Sequence, residues 1–216
     1  MLSHNVEQNT DEWLNLRLGI PTASEFAKLV TGTGKKSTQV TTYIDQLVAE
    51  IMLGRPCSNF TGNEHTERGH ELEPHAVEYY ELLNDIDTQQ IGFVTNRQLS
   101  YGCSPDRLVG DDGMLEIKCP ADHTHVGYLL KNKVPTKYIP QVQGQMLVAD
   151  REWCDWLSYH PDLPSLIIRV ERDEEYILLL RECLEHVENR TKELCSRMVE
   201  LGYMDEEKME RFEVAA

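Results

Sequence analysis

The stretch Ser104-Pro105-Asp106-Arg107-Leu108-Val109-Gly110-Asp111-Asp112-Gly113-Met114-Leu115-Glu116-Ile117-Lys118 decides how the chain is read. Arg107 to Val109 and Met114 to Ile117 are short apolar or β-branched runs, and Asp112-Gly113 between them is a hairpin turn signal. The spacing predicts two antiparallel strands, with Asp106 just ahead of the first and Glu116 and Lys118 near the end of the second. Side chains alternate along a strand, so Glu116 and Lys118 share one face while Ile117 points to the other, into a core. The turn brings Asp106 towards Glu116 and Lys118, and charges anchored on a buried strand need a reason to be there.

Two carboxylates and the Ile117 backbone carbonyl are hard oxygen donors of the kind Mg²⁺ takes when it also holds waters and a substrate phosphate. A lysine beside them suits orienting or deprotonating a water, or steadying charge on the phosphate. The chemistry implied is phosphodiester hydrolysis. As a bare pattern, Pro-Asp followed by Glu-x-Lys is weak, because Pro161-Asp162 with Glu206-Glu207-Lys208 matches it too. That second match is separated by more than forty residues and ends in the polar tail Asp205 to Glu213, whereas Leu115, Ile117 and Cys119 flank the first with core-forming residues.

Around the motif, Ile91 to Val94, Trp153 to Tyr159 and Leu166 to Glu171 read as further strands, and Asp122 to Lys133 and Ile139 to Ala149 as helices. Residues 1–90 read as mainly helical. Thr41 to Leu53 has helical apolar spacing, and Glu71 to Leu83 places Leu72, Ala76, Tyr79, Tyr80 and Leu83 on one face. Gly32, Gly34 and Lys35-Lys36 mark a loop. From Asp173 to Leu201 apolar positions recur every three or four residues, with Thr191 in the one gap; this long amphipathic helix either covers the sheet or joins subunits. The class is α/β or α+β, and with no Pro/Gly/Ser-rich linker or internal repeat, residues 1–216 are expected to form a single domain.

Composition narrows the partners. Of the 216 residues 40% are apolar, which suits an ordinary folded core that needs no disulfide or structural zinc. The six cysteines form no CxxC pair, and the start of the chain lacks a basic flank followed by an apolar core, so a reducing, cytoplasmic setting without membrane spans is expected. The net charge is −16, carried equally by residues 1–150 and 151–216. Such a field repels phosphate polymers, so any nucleic-acid role must rest on local positive charge or bound metal. His65, His70 and His75, spaced by five, turn about 140° apart on a helix and give no shared zinc face. Thr31-Gly32-Thr33-Gly34-Lys35-Lys36 lacks the spacing of a phosphate-binding P-loop. Cys103 and Cys119 read as small buried residues.

Several blocks, taken in order, resemble the phage lambda exonuclease family of viral recombinases within the PD-(D/E)xK nuclease superfamily. They are Trp13 with Leu16-Arg17-Leu18-Gly19-Ile20, Thr22-Ala23-Ser24-Glu25, Gly69 to Glu73, Cys103 to Asp106, Leu115 to Pro120, Gln141-Val142-Gln143 and Val170 to Glu174. The resemblance spans most of the chain. It implies a restriction-endonuclease-like core, a central mixed β-sheet flanked by helices, with Asp106 and Glu116 as metal-binding acids, the Ile117 carbonyl as a ligand and Lys118 as the catalytic lysine. It implies Glu73 as an additional metal-binding acid and Gln141 as an active-site amide. Because Pro74 follows Glu73, that acid is expected at a helix start rather than mid-helix. Arg17 and Ser24 match positions that hold a terminal 5′ phosphate, with Ser104 nearby, while Trp13 either meets the DNA or is a core residue.

The activity implied is a Mg²⁺-dependent 5′-to-3′ exonuclease that digests one strand of linear double-stranded DNA to mononucleotides, in phage-type recombination by single-strand annealing. Two Mg²⁺ ions are implied, with Mn²⁺ as a substitute, together with a homotrimeric ring threaded by DNA, a single-strand annealing protein as partner, and a phage or prophage origin in a bacterial cytoplasm. Arg17, Lys118, Lys131, Lys133 and Lys137 then supply the local attraction. Two alternatives stay open: a structure-specific or restriction-type endonuclease of the same superfamily, and a non-catalytic scaffold that binds DNA ends.

Overall fold

The structure is a computed structural model that describes residues 1–57 and 64–212. The Glu213 end of the predicted polar tail and the side chain of His65 lie outside the described residues. A five-stranded mixed sheet has the order β2-β5-β6-β7-β8, where β2 is Thr88–Gln89, β5 Arg107–Val109, β6 Gly113–Lys118, β7 Trp153–Ser158 and β8 Leu166–Glu171. β5 and β6 form the predicted antiparallel hairpin, and β6 runs parallel to β7, with Glu116 opposite Trp156 and Lys118 opposite Ser158. The parallel step needs a crossover, which α4 (Asp122–Lys131) and α5 (Ile139–Ala149) provide.

The hairpin turn differs from the sequence expectation. Val109 pairs with Gly113, so the turn is Gly110 to Asp112, with Gly110 at a left-handed φ of +54°, and Gly113 belongs to the strand. Glycine is needed at 113 for another reason: a Cβ there would lie 2.2 Å from the Trp153 ring.

β6 separates two cores by side-chain parity. Leu115 and Ile117 pack with Ala76, Val77 and Tyr80 of α3 (Glu64–Asn84), while Met114 on the opposite face joins the main core under α5, α2 (Val40–Leu53) and α6 (Glu174–Glu200). Helix α3 corrects two expectations. It begins nine residues before Glu73, so Glu73 and Pro74 stand in the helix interior. Its buried face is Ala76, Val77 and Tyr80, whereas Tyr79 and Leu83 are exposed, because the sheet covers a narrower stripe than the apolar pattern offers. Tyr80 also donates to Asp155 on β7, which Arg169 on β8 grips with two hydrogen bonds of 2.9 Å, tying helix and sheet together.

The mainly helical reading of residues 1–90 needs two additions: β2 edges the five-stranded sheet, and β1 (Leu2–His4) forms a second antiparallel sheet with β3 (Phe93–Thr95) and β4 (Gly102–Cys103). The strand predicted at Ile91 to Val94 is thus shifted to Phe93–Thr95 and lies in this smaller sheet. Helix α6 is capped by Asp173, whose side chain accepts from the Tyr176 N–H, and buries Ile177, Leu180, Leu184, Val187 and Thr191. Its apolar stripe therefore lies largely within the protein's own core, although Leu201 just beyond it is exposed. No described helix is long and apolar enough to cross a membrane, and all six cysteines are free thiols.

Candidate active site

Asp106 sits in the approach to β5, and its Oδ2 accepts the Ile117 backbone N–H at 2.6 Å, which pins the acid against the far end of β6. Strand parity turns Glu116 and Lys118 the same way, and the Lys118 ammonium donates to Glu116 Oε1. From α5, Gln141 donates to the same oxygen at 2.6 Å, and Gln145 donates to Oε2 at 2.7 Å. Glu116 is 1% exposed, so these donors take over the solvation it has lost.

Glu73, carried on α3, lines an open depression of about 310 Å³ with Asp106, Ile117, Lys118, His70 and Tyr138. Its carboxylate lies 3.5 Å from Arg107, whose guanidinium also donates to the Asp106 carbonyl at 2.6 Å. Burial pushes the Asp106 carboxyl well above the usual carboxylate range, and the charges of Glu116 and Glu73 reinforce the shift; Lys118 and the Ile117 N–H oppose it. Burial alone would lower the Lys118 ammonium, but Glu116 and Asp106 outweigh it and hold the group above its ordinary value. Cys119 is pushed up to about 12 by burial and by Asp106 and Glu73, so it stays a thiol.

Acidic groups near one depression with a lysine beside them suit a hard divalent cation. Among the described residues no three His, Cys, Asp or Glu side chains are close enough to encircle an ion by themselves. The set fits a cation that keeps waters and completes its shell with backbone and substrate oxygens, as Mg²⁺ does, rather than a closed structural zinc site.

A second cavity, of about 290 Å³, gathers Trp13, Arg17, Ser24 and Ser104, with Gln141 and Gln145, the two partners of Glu116, in its wall. Arg17 is the last residue of α1 (Asp11–Arg17), which Thr10 caps. Its guanidinium lies 4.0 Å from the centre of the Trp13 ring and donates to the Thr22 hydroxyl at 3.3 Å. Thr22 in turn stands 3.4 Å from the Ser24 hydroxyl, at the start of a 3-10 segment, Ala23–Lys28. The Trp13 ring N–H donates to Ser104 Oγ at 2.8 Å, and the ring is 7% exposed within a small core with Ile20 and Phe93. Burial lowers the Arg17 pKa, and Tyr43 and Glu25 offset only part of that. A half-buried arginine bonded to a hydroxyl, with further hydroxyls around it, suits an anionic group with several oxygens.

Of the ten residues singled out in the sequence, nine thus fall into two groups: Glu73, Asp106, Ile117 and Lys118 in the depression, and Trp13, Arg17, Ser24, Ser104 and Gln141 in the cavity. The tenth, Glu116, links the two groups: its Oε1 accepts from Lys118 of the depression and Gln141 of the cavity, and its Oε2 from Gln145. The sequence reading missed Gln145 and Tyr138. Gln145 lies one helical turn from Gln141, a spacing that was legible; the Lys118 ammonium comes 5.3 Å from the Tyr138 ring centre, a contact with no local signal.

A mixed sheet with an acid ahead of one strand and an acid and a lysine two apart on the next defines the restriction-endonuclease-like PD-(D/E)xK class. Within that class the chain belongs to the YqaJ-like viral recombinase domain family, whose sequence model matches residues 12–152. Among solved structures it is similar to the alkaline exonuclease LHK-Exo from Laribacter hongkongensis, at 33% identity over 89% of this chain and 100% of that one, with a TM-score of 0.75. The same protein in complex with dAMP matches at 32% identity, 0.76 and the same coverage. A phage-related exonuclease from Haemophilus somnus 129PT, at 17% identity over 83% of this chain and 96% of that one, shares the fold with a TM-score of 0.65. No curated protein sequence matches the chain significantly.

Proposed function

We propose that the protein is a Mg²⁺-dependent exonuclease that digests one strand of linear double-stranded DNA from its 5′ end and releases mononucleotides. The observation that carries this reading is the convergence of Asp106, Glu116 and Lys118 beside a cavity that holds a half-buried arginine among hydroxyls. A relative 32% identical in complex with a nucleoside monophosphate, dAMP, supports the product class.

In this reading Asp106, Glu116, the Ile117 carbonyl and Glu73 hold Mg²⁺, two ions with Mn²⁺ as a substitute. Bound there, the cations lower the pKa of a water and neutralise the leaving oxygen. Lys118, held as an ammonium by its acidic neighbours, orients the attacking water and steadies charge on the scissile phosphate. Gln141 holds a backbone phosphate oxygen or the water through its amide. Arg17, Ser24 and Ser104 bind the terminal 5′ phosphate, so that hydrolysis falls one nucleotide from the end, and Trp13 supports Arg17 from below.

Lys131, Lys133 and Lys137 add local attraction, while the net charge of −16 discourages binding elsewhere. We further propose a homotrimeric ring around the DNA, a single-strand annealing protein as partner, and a phage or prophage protein acting in a bacterial cytoplasm.

Linear duplexes labelled at either end, with a closed circle as control, test the reading. Mg²⁺-dependent release of labelled mononucleotides from 5′ ends, with the circle intact, is expected. Nicking of the circle would favour an endonuclease, and binding of ends without nucleotide release would favour a scaffold.

A further inference from the structure

We infer that Gln145 is a positioning residue for the cation site, the part that fixes the Glu116 carboxylate from the side away from Lys118. The inference rests on the metal-dependent reading above. Gln145 is 1% exposed, and its Nε2 donates to Glu116 Oε2 at 2.7 Å, while Oε1 is already taken by Lys118 and Gln141.

The orientation of this amide follows from chemistry. An ionised carboxylate only accepts, so the Gln145 nitrogen must face Glu116, which turns the amide oxygen away. That oxygen is buried and has no hydrogen-bond partner among the described residues, and the side chain lines the cavity that holds Arg17. A protein leaves a buried acceptor unpaired at a cost, and here the cost accompanies a fixed carboxylate. With both oxygens of Glu116 held, the acid has a single rotamer in which to meet a cation. Gln143, between the two, is buried as deeply but serves the scaffold: it donates to the Glu171 carbonyl and accepts from the Asp173 N–H.

The test is calorimetric titration of the DNA-free protein with Mn²⁺, comparing the unmutated chain, Gln145→Met and Gln143→Met. Methionine keeps the length and apolar stem of glutamine and removes the donor. Loss of a partner that orients a metal ligand weakens metal affinity by about 10–100-fold, and that loss is expected for Gln145→Met, with Gln143→Met staying within about threefold. Affinity within about twofold of the unmutated protein in Gln145→Met, or an equal loss in both variants, would overturn the inference. Gln145→Asn, which draws the amide back by one methylene, is read in the same way if the methionine variant does not fold. An unmutated protein that binds no divalent cation would instead overturn the proposed function.

Discussion

Replacing Arg17 by alanine separates end recognition from hydrolysis. The guanidinium donates to Thr22 and stacks 4.0 Å from the centre of the Trp13 ring, and burial lowers its pKa. An anion bound there gains charge-assisted hydrogen bonds, each worth about 1.5–3 kcal/mol. At about 1.4 kcal/mol per tenfold, a single such bond corresponds to roughly a 10–150-fold change. Arg17→Ala is therefore expected to lower kcat/KM on a 5′-phosphorylated duplex by about that factor. On the same duplex ending in a 5′ hydroxyl it should change kcat/KM by less than about threefold, because the bond in question is then never made. The assay crosses the two enzymes with the two ends and reads nucleotide release at substrate concentrations far below KM. Equal losses on both ends would show that Arg17 acts on folding or chemistry rather than on the terminal phosphate. Indifference of the unmutated enzyme to the phosphate would remove the role altogether.

Lys118→Ala and Asp106→Ala should each lower hydrolysis by at least about 10²-fold while thermal unfolding changes little, since both side chains face the depression rather than the core; melting curves measured beside activity check this. Asp155→Ala removes the acceptor for Tyr80 and for both Arg169 bonds, and should destabilise the fold by about 2–3 kcal/mol, seen as a fall in Tm of roughly 5–10 °C. Gly144→Ala places a Cβ 2.2 Å from the ring of the fully buried Phe26, and is expected to cost about 1–3 kcal/mol and to reduce activity by shifting the helix that carries Gln141 and Gln145. Alkylation of the native protein at pH 8 should modify Cys57 first, because it is exposed. Cys119, pushed up to about 12, holds roughly one thiolate in 10⁴ at that pH and gains reactivity only as pH rises towards that value; mass spectrometry of the modified sites checks the order.

Elements whose pattern repeats locally were legible in the sequence. Ile139–Ala149 and Leu166–Glu171 fall where their periodicity places them, and α6 differs from its expected span by one residue at each end. Parity on β6 likewise foretold that Glu116 and Lys118 share a face opposite Ile117. Elements set by distant partners were not legible. β1 is three residues long and exists through pairing with β3, some ninety residues away. Pro74 signalled a helix start, yet α3 runs through it, its buried turns held by contacts with the sheet.

The sequence by itself determined on which strand faces Glu116, Ile117 and Lys118 stand, because side-chain alternation is a property of each strand alone. Only the tertiary structure decided that Asp106 is fixed by the Ile117 N–H, that Arg17 and Ser24 meet Ser104 across a cavity, and that two glutamines of α5 close on Glu116. Those meetings depend on how closely α5 approaches the sheet and the Ala23–Lys28 segment, a distance set by contacts such as Gly144 against Phe26. Close packing between residues far apart in the chain leaves no periodic trace in either partner.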